Sequence, residues 1–232
     1  MPEATFTRAS HAQVLKALRK LDRSFLSAAR CYFAGGTRIV LELGEYRESR
    51  DIDFLCASRD GYRVLRETVK DSSLGKIVAG EISLAREVRA DQYGIRTFLD
   101  AGQAKLKFEI VREARIDLEG DDIARLPVAC LTRKHCFAEK FLANADRGLD
   151  ASTLSRDVVD LAFMVEGWSK ADADAGLTIA KAAYGATVLR SLGAVIGKMG
   201  ERAYRNRCVE GLAITTPKVL GAGLKTLSSF VR

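Results

Sequence analysis

Gly35 and Gly36 stand side by side where a short apolar stretch, Cys31-Tyr-Phe-Ala34, gives way to residues 37–43, in which Ile39, Val40 and Leu43 repeat at helical spacing. That junction predicts a strand, a glycine turn and a helix. Gly44 is placed to end the helix, and residues 51–56 then alternate apolar and acidic side chains as a strand does. A glycine pair at a strand-to-helix turn removes side chains, so phosphate oxygens can approach backbone N–H groups at the positive end of a helix. Asp51 and Asp53, two apart on a strand, project from one face with Cα atoms roughly 6.5–7 Å apart. Ile52 and Phe54 point the other way, into a core. Hard oxygen ligands of this kind suit Mg²⁺, and two such ions about 3.5–4 Å apart can clamp the attacking and leaving oxygens of an in-line displacement. Taken singly, each feature has an ordinary explanation, since Asp-x-Asp is common on solvated strand edges and a glycine pair is usually a turn. Their occurrence together, in this order, is far more specific.

The rest of the chain supplies a frame for that unit. Residues 10–29 carry Val14, Leu15, Leu18, Leu21, Phe25 and Leu26 at three-to-four spacing, which predicts one amphipathic helix. Residues 61–70 read as a helix, and residues 77–84 and 94–99 as strands or strand fragments. Residues 105–111 alternate clearly: Leu106, Phe108 and Ile110 face one way, and Lys105, Lys107, Glu109 and Val111 the other. Glu109 is therefore the best candidate for a third carboxylate, with Lys107 on the same side to compensate charge. The competing explanation is a surface carboxylate beside a lysine. Beyond Leu126-Pro127-Val128 the pattern changes, and from Thr132 onwards nearly everything repeats as helix. These readings predict a mixed α/β core over residues 1–130 and a helical C-terminal domain over 131–232.

Composition narrows the classes. Hydrophobic residues make up 47% and charged residues 29%, the balance of a folded globular chain. No run approaches the roughly 18 apolar residues of a membrane span, and the N-terminus lacks the basic-then-apolar layout of a signal peptide, so a cytoplasmic protein with no membrane partner is expected. Five scattered cysteines fit reduced, packed thiols, and Cys130 and Cys136 around His135 make a poor zinc site. The net charge is +7, and residues 161–232 hold ten basic against five acidic side chains. A basic C-terminal part can attract a polyanion such as RNA, or can be a solvated helical surface. No Walker-type loop ends in Lys-Ser/Thr, and the glycine pair does not form a dinucleotide-binding fingerprint.

Gly35-Gly36-Thr37, followed after a helix and a basic loop by Asp51-Ile52-Asp53-Phe54, resembles the signature of the polymerase-β-like nucleotidyltransferase superfamily. Within it the chain looks like the AbiEii/AbiGii toxin family, the type IV toxin-antitoxin nucleotidyltransferases related to the MenT toxins. Lys105-Leu-Lys-Phe-Glu-Ile110 resembles the family's strand with the third carboxylate, at Glu109. Ala138-Glu-Lys140, then Arg147, then Arg156-Asp157-Val-Val-Asp160-Leu161 resembles its helical pattern. The resemblance covers about residues 30–165. It implies an α+β fold with a mixed sheet, flanking helices and a C-terminal helical bundle. Gly35, Gly36 and Thr37 would hold a nucleoside triphosphate, and Asp51, Asp53 and Glu109 would hold Mg²⁺. Lys140 would contact the triphosphate or help activate the attacking group, and Asp157 would complete the site from the helical side. The acceptor it implies is an RNA 3′ end, that of tRNA, with an antitoxin as partner.

Read without the family, the helical residues have plainer explanations. Lys140 among Phe137, Phe141 and Leu142 could be a snorkelling surface lysine. Arg156, Asp157 and Asp160 could be an ordinary helix start, with Ser155 as the cap. Two other functions are also compatible with the residues: nucleotidyl transfer to a small molecule or a protein hydroxyl, and binding of RNA or nucleotide without turnover. Oligomeric state has no signature in the sequence.

Overall fold

The alternation in residues 105–111 becomes a strand at the centre of a seven-stranded mixed sheet. In this computed structural model, which describes residues 6–102 and 104–231, the strands are β1 (Cys31–Ala34), β2 (Ile52–Cys56), β3 (Leu84–Ala90), β4 (Gly94–Asp100), β5 (Lys105–Arg112), β6 (Gly120–Asp121) and β7 (Cys130–Leu131). Their order is β3-β4-β5-β2-β1-β7-β6. β2 runs parallel to β5 and antiparallel to β1. Neighbouring strands bring Phe33, Phe54 and Phe108 into one aromatic row, with ring centroids 5.5 and 6.0 Å apart. Residues of period two on β2 and β5 are buried on that side and half-exposed on the other. The apolar side is covered by Val14 and Leu18 of α1 (Ala9–Leu18), Leu26 of α2 (Arg23–Ala28), Leu41 of α3 (Gly35–Glu42) and Leu65 of α4 (Arg59–Thr68). The polar side is left to β2, β4 and β5.

Two local expectations are corrected. Residues 10–29 form two helices instead of one, because the first ends at Leu18, residues 20–22 pair with residues 77–79, and Asp22 caps the second. Its side chain accepts from the Phe25 amide at 2.8 Å, its own amide donates to the Ile77 carbonyl, and Leu21 bridges to Val78. Residues 77–84 do not form a strand. A 3-10 turn occupies Gly75–Ile77, and the strand begins only at Leu84. β3 lies at the sheet edge with most of its side chains exposed, so Arg86, Glu87 and Arg89 hide it from any search for apolar alternation.

The chain divides into two units, one holding residues up to 42 together with 49–132, the other residues 43–48 together with 133–232. The second unit is helical: α5 (Arg133–Arg147), α6 (Arg156–Gly167), α7 (Lys170–Tyr184), α8 (Thr187–Gly200), α9 (Arg202–Gly211) and α10 (Pro217–Ser228). Phe137 of α5 meets Trp168 edge-on at 5.9 Å, and Tyr46 stacks on Phe163 of α6 at 3.9 Å. All five cysteines are buried, and none is in a disulfide. No single helix among the described residues is long and apolar enough to cross a membrane.

Candidate active site

β1 ends at Ala34, which pairs with Asp53 across the sheet, and Gly35 opens α3 immediately afterwards. The first amides of any helix have no partner inside it, so the glycine pair presents donors beside the Asp53 carboxylate. Gly35 has φ +73°, and a Cβ there would stand 2.6 Å from Asp53 Oδ2. Both the left-handed backbone and the close carboxylate require glycine. Gly35→Ala should therefore lower stability by about 1–3 kcal/mol, read from the urea midpoint, and reduce transfer activity as Asp53 is pushed aside. An unchanged midpoint and rate would refute the close approach.

Thr37, one residue further into α3, is only 1% exposed, and its hydroxyl meets Ser49 Oγ at 2.9 Å. The Ser49 amide donates to His11 Nε2 at 3.4 Å. These contacts tie the segment leading to Asp51 back onto α3 and α1. Asp51 lies half-buried just ahead of β2.

Asp53 and Glu109 are register partners on the parallel pair β2 and β5, so their side chains share the polar face. Glu109 is flanked by two cations. Its Oε1 accepts from Arg96 Nε at 2.6 Å and its Oε2 from Lys107 Nζ. Arg96 is the residue opposite Glu109 on β4, and its guanidinium also reaches Asp91 at 3.3 Å. Burial works against ionisation of Glu109, but the hydrogen bonds and charges of Lys107 and Arg96 outweigh it and hold the carboxyl below its ordinary range. Burial likewise works against the Lys107 ammonium. The Glu109 hydrogen bond and charge, followed by the charges of Asp53 and Asp51, nevertheless keep its pKa above the usual lysine value.

This face fits a hard divalent cation. The carboxylates of Asp53 and Glu109 stand side by side on adjacent strands, Asp51 lies just ahead of β2, and the space above Asp53 is kept clear by the missing Cβ of Gly35. Among the described residues no three carboxylate, histidine or cysteine groups are already gathered into a cage. Glu109 has both oxygens turned to Arg96 and Lys107 instead.

In the helical unit, Lys140 and Asp157 are brought together. Lys140 Nζ lies 2.8 Å from Asp157 and 2.7 Å from Asp160, and Arg147 Nε binds Asp157 at 2.7 Å. Asp160, with no exposed surface, also accepts from Tyr46 Oη at 2.6 Å and from both Nε and Nη2 of Arg47 at 2.7 and 2.8 Å. Lys140 is thus a buried ion-pair residue, not a snorkelling one. Nor does Ser155 cap α6: it adopts φ 48° without a capping bond, and its hydroxyl meets Tyr204 Oη and the Gly148 carbonyl. Burial opposes ionisation of Asp157 and Asp160, yet the charges and hydrogen bonds of Lys140 with Arg147, and of Arg47 with Lys140, hold both carboxyls below the ordinary range.

Tyr46, Arg47, Ser49 and Arg96 are absent from the sequence reading. Tyr46, Arg47 and Ser49 lie in residues 43–51, which form no regular element and so carry no periodic signal. Arg96 sits among polar neighbours, and only the β4–β5 register reveals its partner.

The fold is of nucleotidyltransferase type: an α+β core with a mixed sheet and flanking helices, followed in the chain by a helical bundle. The crystal structure of JHP933 from Helicobacter pylori matches over 98% of this chain and 95% of that chain, with a TM-score of 0.53 and 13% identity, a likeness of fold alone. An antigenic nucleotidyltransferase-like protein from Paracoccidioides brasiliensis aligns over 89% of this chain and 95% of that one, with a TM-score of 0.43 and 11% identity. No curated protein matches the sequence. The family model for the nucleotidyl transferase AbiEii toxin of type IV toxin-antitoxin systems matches residues 16–214, and the chain belongs to that family. Membership carries nucleotidyl transfer as the chemistry, a nucleotide as substrate and an antitoxin as partner.

Proposed function

We propose that this protein transfers a nucleoside monophosphate from a nucleoside triphosphate to the 3′-terminal hydroxyl of tRNA, with Mg²⁺, and acts as the toxin of its toxin-antitoxin pair. The observation that carries the metal-dependent part is the Asp53–Glu109 register beside Gly35. Asp51, Asp53 and Glu109 would hold Mg²⁺, which when bound neutralises charge on the phosphate oxygens. Gly35, Gly36 and Thr37 hold the triphosphate through the start of α3. Lys140 and Asp157 belong to the same reading. Their pairing keeps the Lys140 ammonium charged and oriented. The acceptor hydroxyl attacks the α-phosphorus, a new P–O bond forms, and the bond to pyrophosphate breaks. Catalysis rests on positioning and on charge neutralisation.

Support for an RNA acceptor comes from charge. Residues 185–232 carry eight basic and two acidic side chains, +6 of the chain's +7, a distribution that attracts polyanions. The test is incubation with total tRNA, Mg²⁺ and each α-³²P nucleoside triphosphate, beside an Asp51→Ala/Asp53→Ala control. Label on tRNA with the native chain alone is the expected result. Label appearing only on protein or on a small molecule would replace the acceptor, and no turnover with any nucleotide or acceptor would overturn the proposal.

A further inference from the structure

Both carboxylate oxygens of Glu109 are turned to cations in the arrangement described above. Arg96 occupies Oε1 and Lys107 occupies Oε2. The two cations are not equivalent. Arg96 is held across the β4–β5 register and has a second anchor in Asp91, so moving it disturbs a planar guanidinium with two carboxylate partners. Lys107 is a single ammonium on a flexible stem, two residues from Glu109 on the same strand face. Releasing it needs only a rotamer change. Its ammonium also lies in the field of Asp53 and Asp51.

Resting on the metal-dependent reading above, we infer that Lys107 is a resident counter-cation of the three-carboxylate face and gives up Glu109 when a divalent ion is taken up. Two opposite effects follow from one side chain. Lys107 stabilises the metal-free fold, because without it three like charges share one strand face with too little compensation. It also weakens metal binding, because its departure has to be offset. Its position is that of a positioning residue: it sets when Glu109 becomes a ligand.

The test uses the full chain stripped of metal, without nucleotide. Mn²⁺ is titrated into native protein, Lys107→Met, Lys107→Arg and Asp53→Asn, and free Mn²⁺ is read by electron paramagnetic resonance. Removing a unit charge from this half-buried face should tighten Mn²⁺ binding by about tenfold. Lys107→Arg, whose guanidinium can grip a carboxylate with two bonds, should bind more weakly than native. In chelator, Lys107→Met should melt below native, and Mn²⁺ should raise its Tm by more than it raises that of native protein. Lys107→Gln repeats the comparison should Lys107→Met fail to fold. Native binding that Asp53→Asn abolishes, but that Lys107→Met and Lys107→Gln leave unchanged or weaken, overturns the inference while the metal-dependent reading stands. Absence of Mn²⁺ binding in native and Lys107 variants alike, or binding indifferent to Asp53→Asn, sinks the metal-dependent reading and this inference with it.

Discussion

Asp53→Asn should reduce nucleotide transfer by about a thousandfold or more while changing the free energy of urea unfolding by less than about 1 kcal/mol. Asparagine has nearly the shape of aspartate, so the close contact with Gly35 is preserved. What disappears is the charge at the one position that both abuts the glycine turn and stands in register with Glu109. Losing one of three like charges on the face also relieves repulsion, which argues against a large stability loss. Glu109→Gln should follow the same pattern. It should show a smaller loss of activity if Arg96 and Lys107, freed of their partner, still neutralise charge on the substrate. The measurement is the single-turnover rate of label transfer beside circular dichroism and urea unfolding of each variant. Transfer by Asp53→Asn at a tenth of the native rate or better would remove this carboxylate from the site.

The second large effect is on stability and lies in the helical unit. Asp160→Ala should destabilise that unit by about 3–5 kcal/mol, the usual consequence of leaving buried cations without their partner. Arg47 and Lys140 both point at this carboxylate, and Tyr46 loses its acceptor as well. The readout is built in: Trp168, the only tryptophan, packs on Phe137 within the same unit, so its fluorescence follows unfolding there. Asp160→Asn, which keeps an acceptor for Tyr46, should fall between native and alanine. The pH dependence has a definite sign. Asp157 and Asp160 have folded pKa values held below those of the unfolded chain. Their contribution is therefore complete above the ordinary carboxylate range near pH 4, and is lost as pH falls through the lower folded values. Trp168-detected stability should be flat from neutral pH to about 5 and drop in acid. In Asp160→Ala the acid drop should shrink, because one of its two sources is gone. A Trp168 transition at the native midpoint in Asp160→Ala would show that the network contributes nothing to stability.

Much of the architecture was legible because its signals are local. Apolar side chains at period two on β5 and at three-to-four spacing in α5 report which face of each element meets the core, whatever the rest of the chain does. Local signals failed where tertiary partners overruled them. Pairing of residues 20–22 with residues 77–79 split one periodic stretch into two helices, and β3 took an edge position that needs no apolar alternation. Lys140 had the sequence context of a surface lysine, and only the folded helices gave it two buried carboxylates.

Sequence alone determined the strand, glycine turn, helix and strand around Gly35 and Asp53, the polar face carrying Asp53 and Glu109, and the family likeness, because side-chain alternation and glycine placement depend on near neighbours. The tertiary structure decided which charges meet. Arg47 and Asp160 are 113 residues apart, and Arg96 reaches Glu109 only through the β4–β5 register. Such pairings are set by strand register and helix packing, which close over long stretches of chain, and a buried charge is stable only where that closure delivers its partner.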